Sequence, residues 1–124
     1  VYQWLEAHLP TQYYLEPQEN VCIGAKGDLR FIIDIVIYER ASGRAICVAD
    51  TKYKAPDKPA PADLAQVVTY AKLKKCSEAV LIYPKFLANS FNDSIGDVRI
   101  RSLTYDLSGD LEAAGVSFMK ELMR

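Results

Sequence analysis

The chain has 124 residues, half of them apolar and a quarter charged, with a formal net charge of −1. That length supports one domain with a real core. No apolar run reaches the roughly 18 residues of a membrane span, and the near-neutral balance does not by itself announce a nucleic-acid binder. The start, Val1-Tyr2-Gln3-Trp4, has no basic stretch followed by an apolar run, so no signal peptide is expected. It also lacks an initiator Met, so residues 1–124 read as a single domain from a longer or processed chain. Cys22, Cys47 and Cys76 are odd in number and widely spaced, without a C-x-x-C pair. They are expected to be buried, reduced thiols of a cytoplasmic protein rather than zinc ligands.

In chain order, Tyr2 to Leu9 reads as a short helix ended by Pro10, with Trp4, Leu5 and His8 able to share a face. A polar stretch, Glu16 to Asn20, leads into a short strand, Val21-Cys22-Ile23, and Gly24 and Gly27 mark a turn. Arg30 to Glu39 (RFIIDIVIYE) is dense in β-branched residues and predicts a central strand covered on both faces. Turn residues 40–44 follow, then a second strong strand over Ala45–Lys54 (AICVADTKYK). Pro56, Pro59 and Pro61 predict a loop. Asp63 is expected to cap a helix running to about residue 76, with Leu64, Val67, Val68 and Ala71 at helical spacing. Ala79–Tyr83 reads as a short buried strand, Leu87–Asp97 as loop and Val98–Leu107 as strand. Ser108-Gly109-Asp110 opens a last, amphipathic helix. The order predicts an α/β fold, a mixed sheet flanked by helices.

Charged residues interrupt the two most apolar strands: Asp34 in FIIDIVI, and Asp50 and Lys52 in ICVADTK. Charges are seldom buried without a partner, so these positions need a reason. In an antiparallel hairpin turning at Ser42, opposed residues have numbers that sum to 84. Asp34 and Asp50 satisfy that sum, and Lys52 shares their face by the period of two. Opposed carboxylates repel across a ladder, and a divalent cation between them would reverse the sign. Mg²⁺ favours such oxygens and retains waters, with the Thr51 carbonyl a further candidate ligand and Lys52 beside the water. A pair of ion pairs is the plainer alternative.

On the next helix, Gln66 and Tyr70 are four apart and form one stripe beside its apolar face. From Lys52 to Lys75, six lysines (52, 54, 58, 72, 74, 75) stand against Asp57 and Asp63, a strip able to track phosphates. His8, the one histidine, reads as a surface or packed residue. There is no G-x-x-x-x-G-K-[ST] nucleotide loop.

An upstream strand Asp34, then Asp50-Thr51-Lys52, then Gln66-x-x-x-Tyr70, resembles the PD-(D/E)xK nuclease superfamily, and the Q-x-x-x-Y helix its RecB-like branch. The text from Gly27 to Pro84 is closer still to the nuclease domain of McrC proteins, the cleavage subunits of McrBC modification-dependent restriction systems. It carries Asp34-Ile35-Val36-Ile37, Ala49-Asp50-Thr51-Lys52-Tyr53-Lys54, Asp63-Leu64-Ala65-Gln66 through Tyr70-Ala71, and Leu81-Ile82-Tyr83-Pro84. Ile33 stands where the superfamily often has proline.

The resemblance implies a restriction-endonuclease-like sheet and a Mg²⁺-dependent endonuclease, with Mn²⁺ as a possible substitute. Asp34 and Asp50 would bind the metal, Lys52 would be the catalytic lysine, and Gln66 and Tyr70 would lie near the site. A further acid from the first helix region would be Glu6, favoured, or Glu16. The implied partners are DNA, double-stranded and in some cases methylated, and a McrB-like GTP-hydrolysing AAA+ subunit, with no membrane. Two alternatives stand beside this reading: a repair or helicase-associated exonuclease of the same superfamily, and a nuclease-like fold kept as a binding or assembly module.

Overall fold

The computed structural model describes residues 2–52, 58–85, 87, 90–106 and 110–124. Among the described residues nine elements follow in the order α1 (Tyr2–His8), β1 (Tyr13–Ile23), β2 (Leu29–Glu39), β3 (Ala45–Thr51), α2 (Pro61–Lys74), β4 (Glu78–Tyr83), β5 (Asn92–Ile95), β6 (Val98–Thr104) and α3 (Leu111–Leu122). The strands form one mixed sheet in the order β1-β2-β3-β4-β6-β5. β1, β2 and β3 are antiparallel neighbours, β3, β4 and β6 run parallel, and β5 closes the far edge antiparallel to β6. The expected α/β architecture is therefore present. The parallel β3–β4 step requires a crossover, and α2 supplies it.

The helices divide between the two faces. Leu5 of α1 and Phe118 and Leu122 of α3 pack with Leu15, Ile35, Ile37, Cys47, Ala49, Val80 and Ile82. Val67, Tyr70 and Ala71 of α2 pack on the other face with Val36, Val48, Ala79, Leu81, Tyr83 and Ile100. Alternate residues of β3 and β4 thus go to opposite helical layers, which is why those strands read as unbroken apolar runs.

Several boundaries differ from expectation. β1 is 11 residues long and includes the polar Glu16–Asn20 stretch. It lies at the sheet edge, where outward positions stay solvated and pairing with β2 supplies the order that propensity does not. Pro17 is tolerated there because an edge strand has one side with no ladder to donate to. β2 is covered on both faces over only part of its length: Ile33, Ile35, Val36 and Ile37 are buried, whereas Leu29 and Ile32 are exposed. β3 ends at Thr51, and Tyr53 and Lys54 lie outside the described residues.

β5 lies inside the stretch expected to be loop. Its four residues are all exposed, and a turn with Gly96 at φ +61° returns it to β6. The proposed cap of the central helix is also corrected. α2 begins at Pro61 after Ala60, with proline in its first turn, and Asp63 lies inside that turn without capping it. Asp110 does cap α3, accepting from the Glu112 and Ala113 backbone N–H groups, while Ser108, Gly109 and Leu107 lie outside the described residues. All three thiols are free, but only Cys47 is buried as expected; Cys76 is half-buried and Cys22 exposed.

Candidate active site

The β2–β3 ladder pairs Ile35 with Ala49, Val36 with Val48 and Ile37 with Cys47, each pair summing to 84 as expected, before a bulge near the turn. Among the described residues, that pairing stops one step short of Asp34 and Asp50. The strands part there. The Thr51 backbone N–H, which a longer ladder would have employed, donates instead to Asp34 Oδ2 at 3.0 Å. A side-chain carboxylate thus takes over from a backbone carbonyl at the point of separation, which satisfies the amide.

A second irregularity fixes the aim of Asp34. The β1–β2 ladder keeps one register throughout, yet among the described residues it has no pair at Gln18 and Asp34, and Gln18 has φ +50°. Along β2, Ile35 and Ile37 face the α1/α3 layer and Val36 faces α2, but Ile33 and Phe31 also join the α2 layer. The strict alternation loses step at Asp34. Gln18 Nε2 donates to Asp34 Oδ1 at 2.9 Å, so both oxygens of this carboxylate are held.

Lys52 follows β3 and is anchored by its own N–H to the Ile82 carbonyl at 2.8 Å. Its Nζ lies 2.6 Å from Asp50 Oδ2 and 3.3 Å from Asp63 Oδ1, and it donates to Gln66 Oε1 at 3.2 Å. Gln66 Nε2 in turn donates to the Tyr70 hydroxyl at 3.0 Å. Tyr70 is buried in the α2 layer, with Phe31 edge-on to its ring at 6.4 Å. Asp63, Gln66 and Tyr70 are spaced i, i+3 and i+7, which places them on one helical face. A relay of four side chains therefore ties the α2 stripe to β3.

Burial pushes the Asp50 carboxyl above its usual range, against the pull of Lys52, and the Asp34 carboxylate adds to the rise. For Lys52, burial alone would lower the ammonium, but contact with Asp50 and Asp63 outweighs it and holds the group above its usual value. Burial also raises the Tyr70 phenol, with Asp50 contributing. The lysine is thus held as a cation between Asp50 and Asp63. Among the described residues no set of three His, Cys, Asp or Glu side chains has a metal-binding arrangement. A cation shared by Asp34 and Asp50 would draw its other ligands from carbonyl and water oxygens, a donor set suited to a hard, hydrated ion.

The structure brings Asp34, Asp50, Lys52, Gln66 and Tyr70 together. It does not bring Glu6 to them. Glu6 accepts a hydrogen bond from Tyr2 and lines a separate groove with Tyr13, Tyr14, Glu16 and Arg40, at the junction of α1 and β1. Thr51 is at the site, where its N–H is engaged by Asp34. Of the six lysines of the strip, Lys52 is interior to the cluster, Lys72 pairs with Asp97 and Lys74 with Glu19 at 3.0 Å, Lys58 and Lys75 are exposed, and Lys54 lies outside the described residues. Gln18 and Asp63 went unrecognised as site residues. Gln18 was hidden because its strand reads as polar loop. Asp63 was legible in principle, three residues before Gln66 on the same helical face.

A six-stranded mixed sheet with helices on both faces defines an α/β protein, and two carboxylates and a lysine meet where two of its strands part. A search of curated proteins finds no match. Residues 1–84 match the family model described as McrBC 5-methylcytosine restriction system component, and the chain belongs to that family. The matched segment ends at Pro84 and so contains every side chain of the cluster.

Proposed function

We propose that this chain is the DNA-cleaving component of a McrBC-like restriction system, a metal-dependent endonuclease whose site is the Asp34–Asp50–Lys52 cluster. The observation that carries the reading is the convergence of these three groups, backed by Gln66 and Tyr70, at the splayed end of β2 and β3. Membership of the restriction-system family favours it over a repair exonuclease of similar fold.

Asp34 and Asp50 would hold a Mg²⁺ ion, for which Mn²⁺ could substitute, with the Thr51 carbonyl as a further ligand. When bound, the ion would polarise the scissile phosphate and stabilise the charge that develops on it. Gln18 and the Thr51 N–H orient the Asp34 carboxylate and limit its rotation. Lys52, kept protonated, offers a cation and proton donors beside the pair, to position a water or steady a phosphate oxygen. Gln66 aims the ammonium, and Tyr70, locked by burial, aims Gln66. The remaining partners follow from the same reading: DNA as substrate, methylated where the system requires it, and a McrB-like GTP-hydrolysing subunit.

The test is cleavage of plasmid DNA with Mg²⁺ by the wild type, Asp50→Ala and Lys52→Ala, each alone and with a McrB-like partner, GTP and methylated DNA. Cleavage by the wild type and loss of at least about 100-fold in both variants is expected. Equal cleavage by all three would remove the assignment. Binding without cleavage in the complete system would make the chain an assembly module.

A further inference from the structure

Tyr83 heads the fully buried side chains by size, with 1% of its surface exposed, yet its hydroxyl has no hydrogen-bond partner among the described residues. A buried hydroxyl left unpaired is costly, and one retained in a core calls for a reason. The β3–β4 register supplies its location. Asp50 pairs with Leu81 and Thr51 with Ile82, and the Lys52 N–H reaches the Ile82 carbonyl. Tyr83 is the next residue, on the α2 face with Leu81. Burial raises the Tyr83 phenol above its ordinary value, with Asp63 adding to the rise, Lys52 opposing it and Asp50 adding to it.

Asp63 is the second unexplained group. It does not cap α2, and it belongs to no metal-binding set among the described residues, yet its carboxylate lies 3.3 Å from the Lys52 ammonium. The same ammonium lies 2.6 Å from Asp50 Oδ2. A divalent cation on Asp50 would repel it, and it must then lean on another anion. Among the described residues, Asp63 is the other carboxylate in contact with it.

We propose that Asp63, backed by the Tyr83 hydroxyl, is a positioning pair that receives the Lys52 ammonium when a divalent cation occupies Asp50. This rests on the metal-site reading above. In the cation-bound state the Tyr83 hydroxyl gains the partner it lacks, and Lys52 stays beside the site rather than competing for Asp50. The pair acts through Lys52, and neither member touches the cation.

The experiment is a double-mutant cycle read by Mn²⁺ binding to the whole chain, using the paramagnetic signal of the free ion and no DNA. Asp63→Asn should weaken Mn²⁺ about tenfold when Lys52 is present and roughly twofold or less in a Lys52→Met background, where nothing must be displaced. Tyr83→Phe should weaken Mn²⁺ about threefold, again only with Lys52 present, while its melting temperature is unchanged or higher because an orphan hydroxyl is gone. Equal weakening by Asp63→Asn in both backgrounds would overturn the proposal, since Asp63 would then act on the ion by charge alone. Failure of the wild type to bind Mn²⁺ would instead overturn the metal-site reading itself.

Discussion

The two faces of the sheet are built from the same strands and put to opposite uses. On the α1/α3 face, Trp4 stacks on His8 at a ring distance of 3.9 Å, Tyr105 meets Phe118 edge-on at 5.5 Å, and α3 presents Gly115 to the Trp4 ring. Arg101, nearly buried, donates to the Glu121 and Leu122 carbonyls and so fastens the end of α3. These contacts serve cohesion. On the α2 face the same sheet carries Asp50 with only 9% of its surface exposed, close to a second carboxylate, and Tyr83 with an unused hydroxyl. The contrast teaches where stability has been surrendered. Like charge and irregular backbone collect at the cluster, where Asp50 lies close to Asp34 and Gln18 has φ +50°. Among the described residues a buried atom without a hydrogen-bond partner occurs on each side, the Tyr83 hydroxyl on one and Arg101 Nε on the other.

The largest expected effect is on the cohesive side. Phe118→Ala should cost about 3–5 kcal/mol, seen as a lowered denaturation midpoint, since the ring is fully buried and little can refill its place. Gly115→Ala should come next. Alanine ordinarily favours a helix, but a Cβ here would lie 2.3 Å from Trp4 Cε2, so a loss of about 1–3 kcal/mol is expected. A gain in stability would mean that α1 moves aside freely and that this face is less tightly fitted than it looks.

The site side should respond with the opposite sign. Because burial raises the Asp50 carboxyl, the folded chain holds that proton more tightly than the unfolded chain does. Its stabilising effect is complete below the ordinary carboxylate range and is lost as pH rises through the raised value. Asp50→Asn should therefore melt a few degrees above the wild type at neutral pH, and the gap should close on acidification below about pH 4. Mg²⁺ should raise the wild-type melting temperature and leave the variant unmoved. A variant less stable at pH 7 would show that Lys52 depends on Asp50 more than the buried acid costs. The smallest effect is expected at the α3 cap, where Asp110→Ala should cost about 1 kcal/mol by calorimetry.

The sequence was most readable where side-chain period and burial agree. Asp34 and Asp50 could be brought to one place from numbering because the pairs Ile35–Ala49, Val36–Val48 and Ile37–Cys47 keep the sum of 84 beyond the bulge, although the ladder ends one step short of the two acids. The Q-x-x-x-Y stripe was legible because helical spacing fixes its direction. What escaped depended on partners distant in sequence. β1 is ordered by pairing with β2 and not by its own composition, so Gln18 could not be placed against Asp34. β5 is exposed throughout and exists because β6 offers an open edge. Asp63 looked like a helix cap because its true partner, Lys52, is reached only through the crossover. Glu6 looked available because an exposed helical acid carries no sign of which layer its helix joins.

The kink at Pro17 and Gln18 also bears on how the molecule behaves in a crowd. An outer strand with regular, unspent amides is a template for another chain, and native proteins blunt such templates with proline and local distortion. Here proline removes one donor, and the left-handed turn at the next residue bends the run of amides out of line. The distortion that accompanies the aim of the Asp34 carboxylate therefore also guards the rim against fibre-like stacking, and straightening it would expose the protein to self-association.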